Sequence, residues 1–141
     1  MGKILIYLSL LLATSGFAAQ VNWAKDYNSA IELAKKQNKP VLFVVSRHSC
    51  KWCVYLDETT FQDKEIVEDL NKNFIAVTSY SDENDYTPKE FYTPTTPTIW
   101  FLKPNAQPMF QPIMGAMKPK NFKEALSIVK KEFNKSKKQG K

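Results

Sequence analysis

The spacing of hydrophobic and polar residues predicts alternating helices and strands along the chain. Apolar residues at helical spacing predict a first helix that ends near Asn38, before Pro40. A continuous apolar run at residues 41–45 is typical of a strand that is covered on both faces. A second helical pattern begins at Cys50. The stripe of the first helix consists of Tyr27, Ala30, Ile31 and Ala34.

The middle of the chain continues this alternation. Asp63 is placed to cap a further helix, and residues 74–77 and 98–102 predict two more buried strands. A polar, acidic connection at residues 79–90 lies between these strands and includes the start of a short helix near residues 88–92. Its acids Asp82, Glu83 and Asp85 are typical of a solvated loop.

The last two predicted elements complete the fold class. Residues 109–114 predict an edge strand, because Pro112 has no N–H to donate to a neighbour. Asn121 and Glu124 are spaced to cap a final helix. The order of elements predicts an α/β fold with a central mixed sheet and helices on both faces. The apolar stripe of the final helix consists of Phe122, Ala125, Leu126, Val129 and Phe133.

The first 18 residues have the pattern of a secretory signal. A basic start with Lys3 precedes an apolar run at residues 4–13, and small residues then lead to a predicted cleavage after Ala18 or Ala19. The alternative is an uncleaved anchor, although a bilayer span takes roughly 20 apolar residues. We therefore expect an exported protein, periplasmic or otherwise, that is soluble after cleavage and folds as one domain at residues 19–133.

The net charge of +6 belongs mostly to the end of the chain. Residues 134–141 contain four lysines and no acid, so we expect a flexible basic tail there. This distribution favours a solubilising end over a nucleic-acid surface, with weak attraction to an anionic membrane as the alternative.

The only cysteines of the chain are Cys50 and Cys53. Two intervening residues at a helix start let both sulfurs meet across one turn. The unpaired amides and the helix dipole favour a thiolate at Cys50, and Arg47, His48 and Lys51 add positive charge nearby. Cys53 lies one turn further in, which suits a resolving thiol. This pattern predicts thiol–disulfide exchange with Cys50 as the nucleophile.

Other uses of the cysteine pair have less support in the sequence. A structural disulfide would close too small a loop to stabilise the fold much. Zinc needs more ligands than His48 can add, which leaves transient copper binding as the metal alternative. Haem attachment requires a histidine where Val54 stands. We therefore expect no metal site and no other cofactor.

The chain resembles the thioredoxin superfamily over residues 23–133, and more narrowly its periplasmic branch, which includes the C-terminal domain of the transmembrane thiol:disulfide interchange reductant. Four motifs carry the resemblance. They are Lys39-Pro40-Val41-Leu42-Phe43 leading into Cys50-Lys51-Trp52-Cys53, Thr59-Thr60-Phe61 with Asp63, Thr96-Pro97-Thr98-Ile99, and Gly115. The resemblance implies a thioredoxin fold and exchange with protein thiols and disulfides. It also suggests a membrane thiol reductant as electron donor; no dimerisation region is visible, so we expect a monomer.

The resemblance also implies roles for residues outside the cysteine pair. Thr96–Pro97 would be a cis peptide that forms the floor of a substrate groove bordered by Gly115. The alternative is a trans proline that starts a strand. Trp52 would face solvent as a partner contact, or pack on the groove. His48 and Lys51 are candidates for tuning Cys50, with an exposed bystander as the alternative for His48.

Three positions depart from the family pattern. Val44 stands where many relatives carry a buried acid, Ser49 replaces an aromatic residue, and the intervening dipeptide is Lys-Trp. We expect Val44 to leave Cys53 without a local proton acceptor. The predicted function is reduction of protein disulfides in an oxidising compartment. The alternatives are a disulfide oxidase or isomerase, and a non-catalytic module that binds a partner protein or copper.

Overall fold

The computed structural model describes residues 18–140 and contains one mixed sheet. Strand β1 lies between β2, which is parallel to it, and β3, which is antiparallel; β4 pairs with the far side of β3. The predicted α/β class with a mixed sheet is confirmed. The strands are β1 (Val41–Ser46), β2 (Ile75–Tyr80), β3 (Thr98–Leu102) and β4 (Ile113–Met114).

The helices cover both faces of this sheet. Alternate residues of β1 point to opposite sides, so Phe43 packs in a cluster with the first helix and Val44 in a cluster with the others. Every residue of β1 is therefore buried. The helices are α1 (Tyr27–Gln37), α2 (Lys51–Glu58), α3 (Lys64–Asn73) and α4 (Pro119–Gln139), with 3₁₀ turns at Thr60–Gln62 and Lys89–Phe91.

Two helices begin at aspartates. The Asp26 carboxylate accepts a hydrogen bond from the Ser29 amide at 2.8 Å, and α1 ends at Asn38 in the left-handed conformation. Asp63 caps α3 as predicted, because its carboxylate accepts hydrogen bonds from the amides of Glu65 and Ile66. These local signals fix the ends of helices that pack against the central strands.

The last helix differs from the prediction at both ends. It begins at Pro119, whose fixed φ suits the first helical position, with Lys118 as the flanking residue. Asn121 therefore lies inside the first turn, and the prediction that it caps the helix was wrong. The helix also continues through residues 134–139, which we expected to form a flexible tail.

Two strands also differ in length from the prediction. The edge strand is confined to Ile113–Met114, and Met109 instead donates its amide to the Phe101 carbonyl at 2.8 Å. Pro112 cannot extend the ladder, as its missing N–H suggested. Conversely, β2 runs on to Tyr80, into the stretch interpreted as a polar connection, because Ser79 is buried and its hydroxyl pairs with that of Thr87.

The predicted signal segment falls mostly at residues 1–17, which lie outside the described residues. Within residues 18–140, no helix is both long and apolar enough to span a bilayer.

Candidate functional site

Cys50 lies at the end of the connection from β1 to α2. It is the N-cap of α2, with extended backbone angles (φ −95°, ψ 118°), and its Sγ accepts a hydrogen bond from the Cys53 amide at 3.3 Å. A sulfur in this position faces the unpaired amides of the first helical turn. The predicted placement of Cys50 at the start of a helix is therefore confirmed.

Hydrogen bonds determine the acidity of Cys50. Partial burial opposes ionisation, but hydrogen bonds with the side chains of Cys53 and Thr96 and with the amides of Cys53 and Trp52 outweigh it. The net effect lowers the pKa of the Cys50 thiol below its ordinary value. Backbone amides aimed at the sulfur stabilise a thiolate, and the thiolate is the nucleophilic form.

Cys53 has the opposite environment. Its side chain is 1% exposed, and burial raises the pKa of its thiol, as does the hydrogen bond with Cys50. A smaller lowering influence comes from the Ser46 side chain at the end of β1. Both cysteines are free thiols in the structure. The two thiols thus differ in pKa because Cys50 lies at the N-terminus of α2 and Cys53 is buried in the protein.

A backbone carbonyl lies directly beside the cysteine pair. The Thr96–Pro97 peptide bond is cis, as predicted, and the Cys50 thiol donates to the Thr96 carbonyl at 3.3 Å. The Gly115 amide donates to the Pro97 carbonyl at 2.7 Å. Gly115 has a φ of +93°, a conformation that favours glycine. The structure thus brings Thr96, Pro97 and Gly115 to the same edge as Cys50.

The two residues between the cysteines point outward. Trp52 is 56% exposed and makes an edge contact with the ring of Tyr55. Lys51 Nζ lies 5.6 Å from the centre of the Trp52 ring. The structure thus leaves Trp52 facing solvent at the rim of the cysteine pair, next to the lysine that precedes it.

His48 is held by the loop after β2. Its Nε2 lies 2.6 Å from Glu83 Oε1, and its ring stacks on Tyr80 with the ring centres 4.0 Å apart. The amides of His48 and Ser49 both donate to the Asp82 carboxylate, at 2.8 and 3.3 Å. The interpretation of Asp82 and Glu83 as part of a solvated loop was therefore incomplete. They hold the segment that leads into Cys50.

Sequence reasoning missed an acid on the same helix as Cys53. Asp57 is half-buried and lies four residues after Cys53 on α2, so both side chains project from one helix face. The Tyr80 hydroxyl donates to Asp57 Oδ2 at 3.4 Å. Burial raises the pKa of Asp57 above its ordinary value. The four-residue spacing from Cys53 was the available signal, but Tyr80 comes from a distant strand.

The described residues contain no group of three or more histidines, cysteines, aspartates or glutamates arranged to hold a metal ion. A dithiol with one acidic and one buried sulfur, set between a helix end and a backbone carbonyl on a mixed sheet, defines the thioredoxin-like class of domain.

The comparison with protein families agrees with this class. The sequence model described as "Thioredoxin-like domain" matches residues 27–130. The chain therefore belongs to the thioredoxin-like domain family, and the resemblance inferred from the sequence is confirmed. Spermatogenesis-associated protein 20 of Mus musculus is 33% identical over 99 residues, which is 67% of this chain. The chain spans only 12% of the length of that relative.

Solved structures confirm the thioredoxin fold. A thioredoxin from Thermus thermophilus superposes with a TM-score of 0.66 at 22% identity, over 78% of this chain and 87% of its own. The oxidoreductase DsbH gives 0.62 at 18% identity, over 88% and 92%. The DsbD C-terminal domain of Neisseria meningitidis gives 0.57 at 19% identity, over 72% and 91%. At these identities the three structures share the fold with this chain.

Proposed function

We propose that the protein is an exported thiol:disulfide oxidoreductase that reduces disulfides of partner proteins. The observation that carries the proposal is the contrast between the two sulfurs: Cys50 is the N-cap of α2 and accepts a backbone amide, whereas Cys53 is 1% exposed. The lowered pKa of Cys50 favours the nucleophilic thiolate at neutral pH. The raised pKa of the buried Cys53 keeps it protonated until Cys50 has formed a mixed disulfide. A structural disulfide would not need this division.

In the proposed reaction the Cys50 thiolate attacks one sulfur of a partner disulfide. A bond forms between that sulfur and Cys50, and the other partner sulfur leaves with the electron pair. Cys53 then loses its proton and attacks Cys50, which releases the second partner thiolate. The partner disulfide is reduced by two electrons and the Cys50–Cys53 pair is oxidised to a disulfide.

The surroundings of Cys50 suit a polypeptide partner. The Thr96 carbonyl and the exposed Trp52 lie at the rim of the pair, so an extended chain can contact the backbone at Thr96 and the indole at Trp52. In this proposal Pro97 and Gly115 complete the groove, and Lys51 and His48 tune the charge near it. Partners are then selected by an accessible disulfide.

The proposed setting is an oxidising compartment outside the cytoplasm. The signal pattern at residues 1–18 supports export, with a mature domain from residue 19. In such a compartment the pair needs a supply of electrons, for which a membrane thiol reductant is the proposed donor. The protein acts as a monomer in this account.

Insulin reduction tests the function. With dithiothreitol as reductant, the wild-type protein is expected to accelerate precipitation of the insulin B chain, and Cys50→Ser is expected to reduce the rate to that of dithiothreitol alone. Ser49→Ala, which leaves both sulfurs in place, is the matched control and should stay close to wild type. A wild-type rate equal to that of dithiothreitol alone would favour a binding module without turnover.

A further inference from the structure

The resolving step requires Cys53 to lose a proton inside the protein. Cys53 is 1% exposed, and its pKa lies above that of an ordinary thiol because of burial. The strand before the motif supplies no acid, since Val44 is 1% exposed and packs in the apolar core. A proton acceptor for this thiol must therefore come from another element.

Asp57 has the position and the environment of such an acceptor. It lies one helical turn after Cys53 on the same face of α2, where side chains four residues apart are neighbours. It is half-buried, and burial makes it more basic than an exposed aspartate. Asp57 and Tyr80 also line an open cleft of ≈ 280 Å³ beside Gln62, so water reaches the carboxylate.

Tyr80 contacts this carboxylate through its hydroxyl. Its hydroxyl donates to Asp57 Oδ2 at 3.4 Å, and its ring is stacked against His48, which Glu83 holds in turn. Burial is the largest cause of the raised pKa of Tyr80, and negative charge on Cys53 is the smallest. Burial and the Asp57 charge contribute more and bring the pKa of Tyr80 to about 12, so it remains a hydrogen-bond donor.

We propose that Asp57 accepts the Cys53 proton during resolution of the mixed disulfide, and that Tyr80 is the residue that positions its carboxylate. The inference rests on the proposed oxidoreductase function. The proton passes from Cys53 Sγ through water to Asp57, while the Cys53 sulfur bonds to Cys50 Sγ and the partner sulfur leaves with the electron pair of the broken bond. Asp57 then returns the proton to solvent or to the departing thiolate.

The effect of Asp57→Asn on the rate of resolution distinguishes two roles for Asp57: proton acceptor, or negative charge that only shifts the pKa of Cys53. The titratable side chains that act on Asp57 are Tyr80 and His48 from other elements and Glu58 on its own helix, and Glu83 pairs with His48. If Asp57 acted only by its charge, its removal would lower the pKa of Cys53 and speed resolution. If Asp57 is the proton acceptor, its removal slows resolution.

The test is stopped-flow reaction of the reduced full-length protein with the aromatic disulfide dithiobis(nitrobenzoate). Attack by Cys50 releases a first coloured thiolate, and resolution by Cys53 releases a second. Asp57→Asn is expected to slow the second release by about tenfold or more at neutral pH, with the first release within about twofold of wild type. The gap should narrow at alkaline pH, where hydroxide deprotonates Cys53.

Three variants control this result. Glu58→Gln removes a neighbouring exposed charge from the same helix and should leave both releases unchanged. Asp57→Glu retains a carboxylate and should recover part of the second rate. Tyr80→Phe removes a hydrogen bond that favours the ionised carboxylate, so the acid limb of the second rate should move to higher pH.

The outcomes separate this inference from the proposed function. A wild-type protein that releases only one thiolate would contradict the proposed function itself. A normal two-step wild type combined with an unchanged or faster second release in Asp57→Asn would overturn the role of Asp57 alone. If Asp57→Asn slows the first and the second thiolate release equally, the substitution acts on Cys50, which would also overturn the role of Asp57.

Discussion

At the scale of single residues, the site separates two identical thiols by their hydrogen bonds. Partial burial opposes ionisation of Cys50, but hydrogen bonds with the side chains of Cys53 and Thr96 and with amides at the helix start lower its pKa. Cys53 is buried one turn further on, and its pKa is raised. No positive side chain is among the main causes of the lowered pKa of Cys50; His48 pairs with Glu83, and Lys51 lies over Trp52.

This separation predicts different trapping by the two serine variants. Cys53→Ser keeps the nucleophile and loses the resolving thiol, so mixed disulfides with partner proteins should accumulate. Cys50→Ser keeps only the buried thiol and should trap few partners. The measurement is non-reducing electrophoresis after acid quenching of cells that express each variant at the same level.

The double variant Cys50→Ser with Cys53→Ser is the control for complexes that involve no sulfur of this chain. Equal trapping by the two single variants would contradict the assignment of Cys50 as the nucleophile. More trapping by Cys50→Ser would reverse it.

At the scale of elements, Asp63 joins two helices. It caps α3 through the amides of Glu65 and Ile66, and Lys123 of α4 lies 3.1 Å from its carboxylate. Partial burial opposes ionisation, but these hydrogen bonds and the lysine hold the pKa of Asp63 below its ordinary value. The ionised form therefore stabilises the fold above the pKa of the unfolded chain. This contribution is lost as the pH falls through the lower, folded pKa.

Asp63→Ala is expected to lower the free energy of unfolding by about 1 kcal/mol at neutral pH, because α3 loses its cap. The difference from wild type should shrink in acid, as protonation weakens the wild-type cap. Urea unfolding of the reduced protein at neutral and acidic pH measures both values.

Asp63→Asn is the matched control, since an asparagine oxygen still caps the helix but carries no charge for Lys123. It should lose less stability than the alanine variant and depend less on pH than wild type does. An alanine variant as stable as wild type at neutral pH would contradict the role of the cap.

At the scale of the whole molecule, the sequence predicted the parts that depend on local pattern. The run at residues 41–45 indicated a strand buried on both faces, and the α1 stripe lies in the core with Tyr27, Ala30, Ile31 and Ala34 all buried. The start of α4 was misplaced because two signals compete there. Asn121 resembles a cap, but Pro119 already has helical φ and starts the helix earlier.

Contacts between distant segments escaped sequence reasoning. Tyr80 meets Asp57 across 23 positions, and Asp82 meets His48 across 34. No local pattern reports such pairs, because they depend on β2 lying beside β1 and on the loop after β2 reaching the start of α2. The acid absent from β1 at Val44 was therefore noticed in the sequence, whereas the acid on α2 was not.

The redox equilibrium of the Cys50–Cys53 pair with glutathione is the decisive test of exchange in the reducing direction. We expect a reversible two-electron exchange with a potential nearer the roughly −270 mV of thioredoxin than the roughly −120 mV of strong oxidants. The fraction of oxidised protein, followed by thiol alkylation across a series of glutathione ratios, gives this value. A potential near the strong oxidants would contradict the reducing direction, and a pair that never equilibrates with glutathione would contradict thiol–disulfide exchange itself.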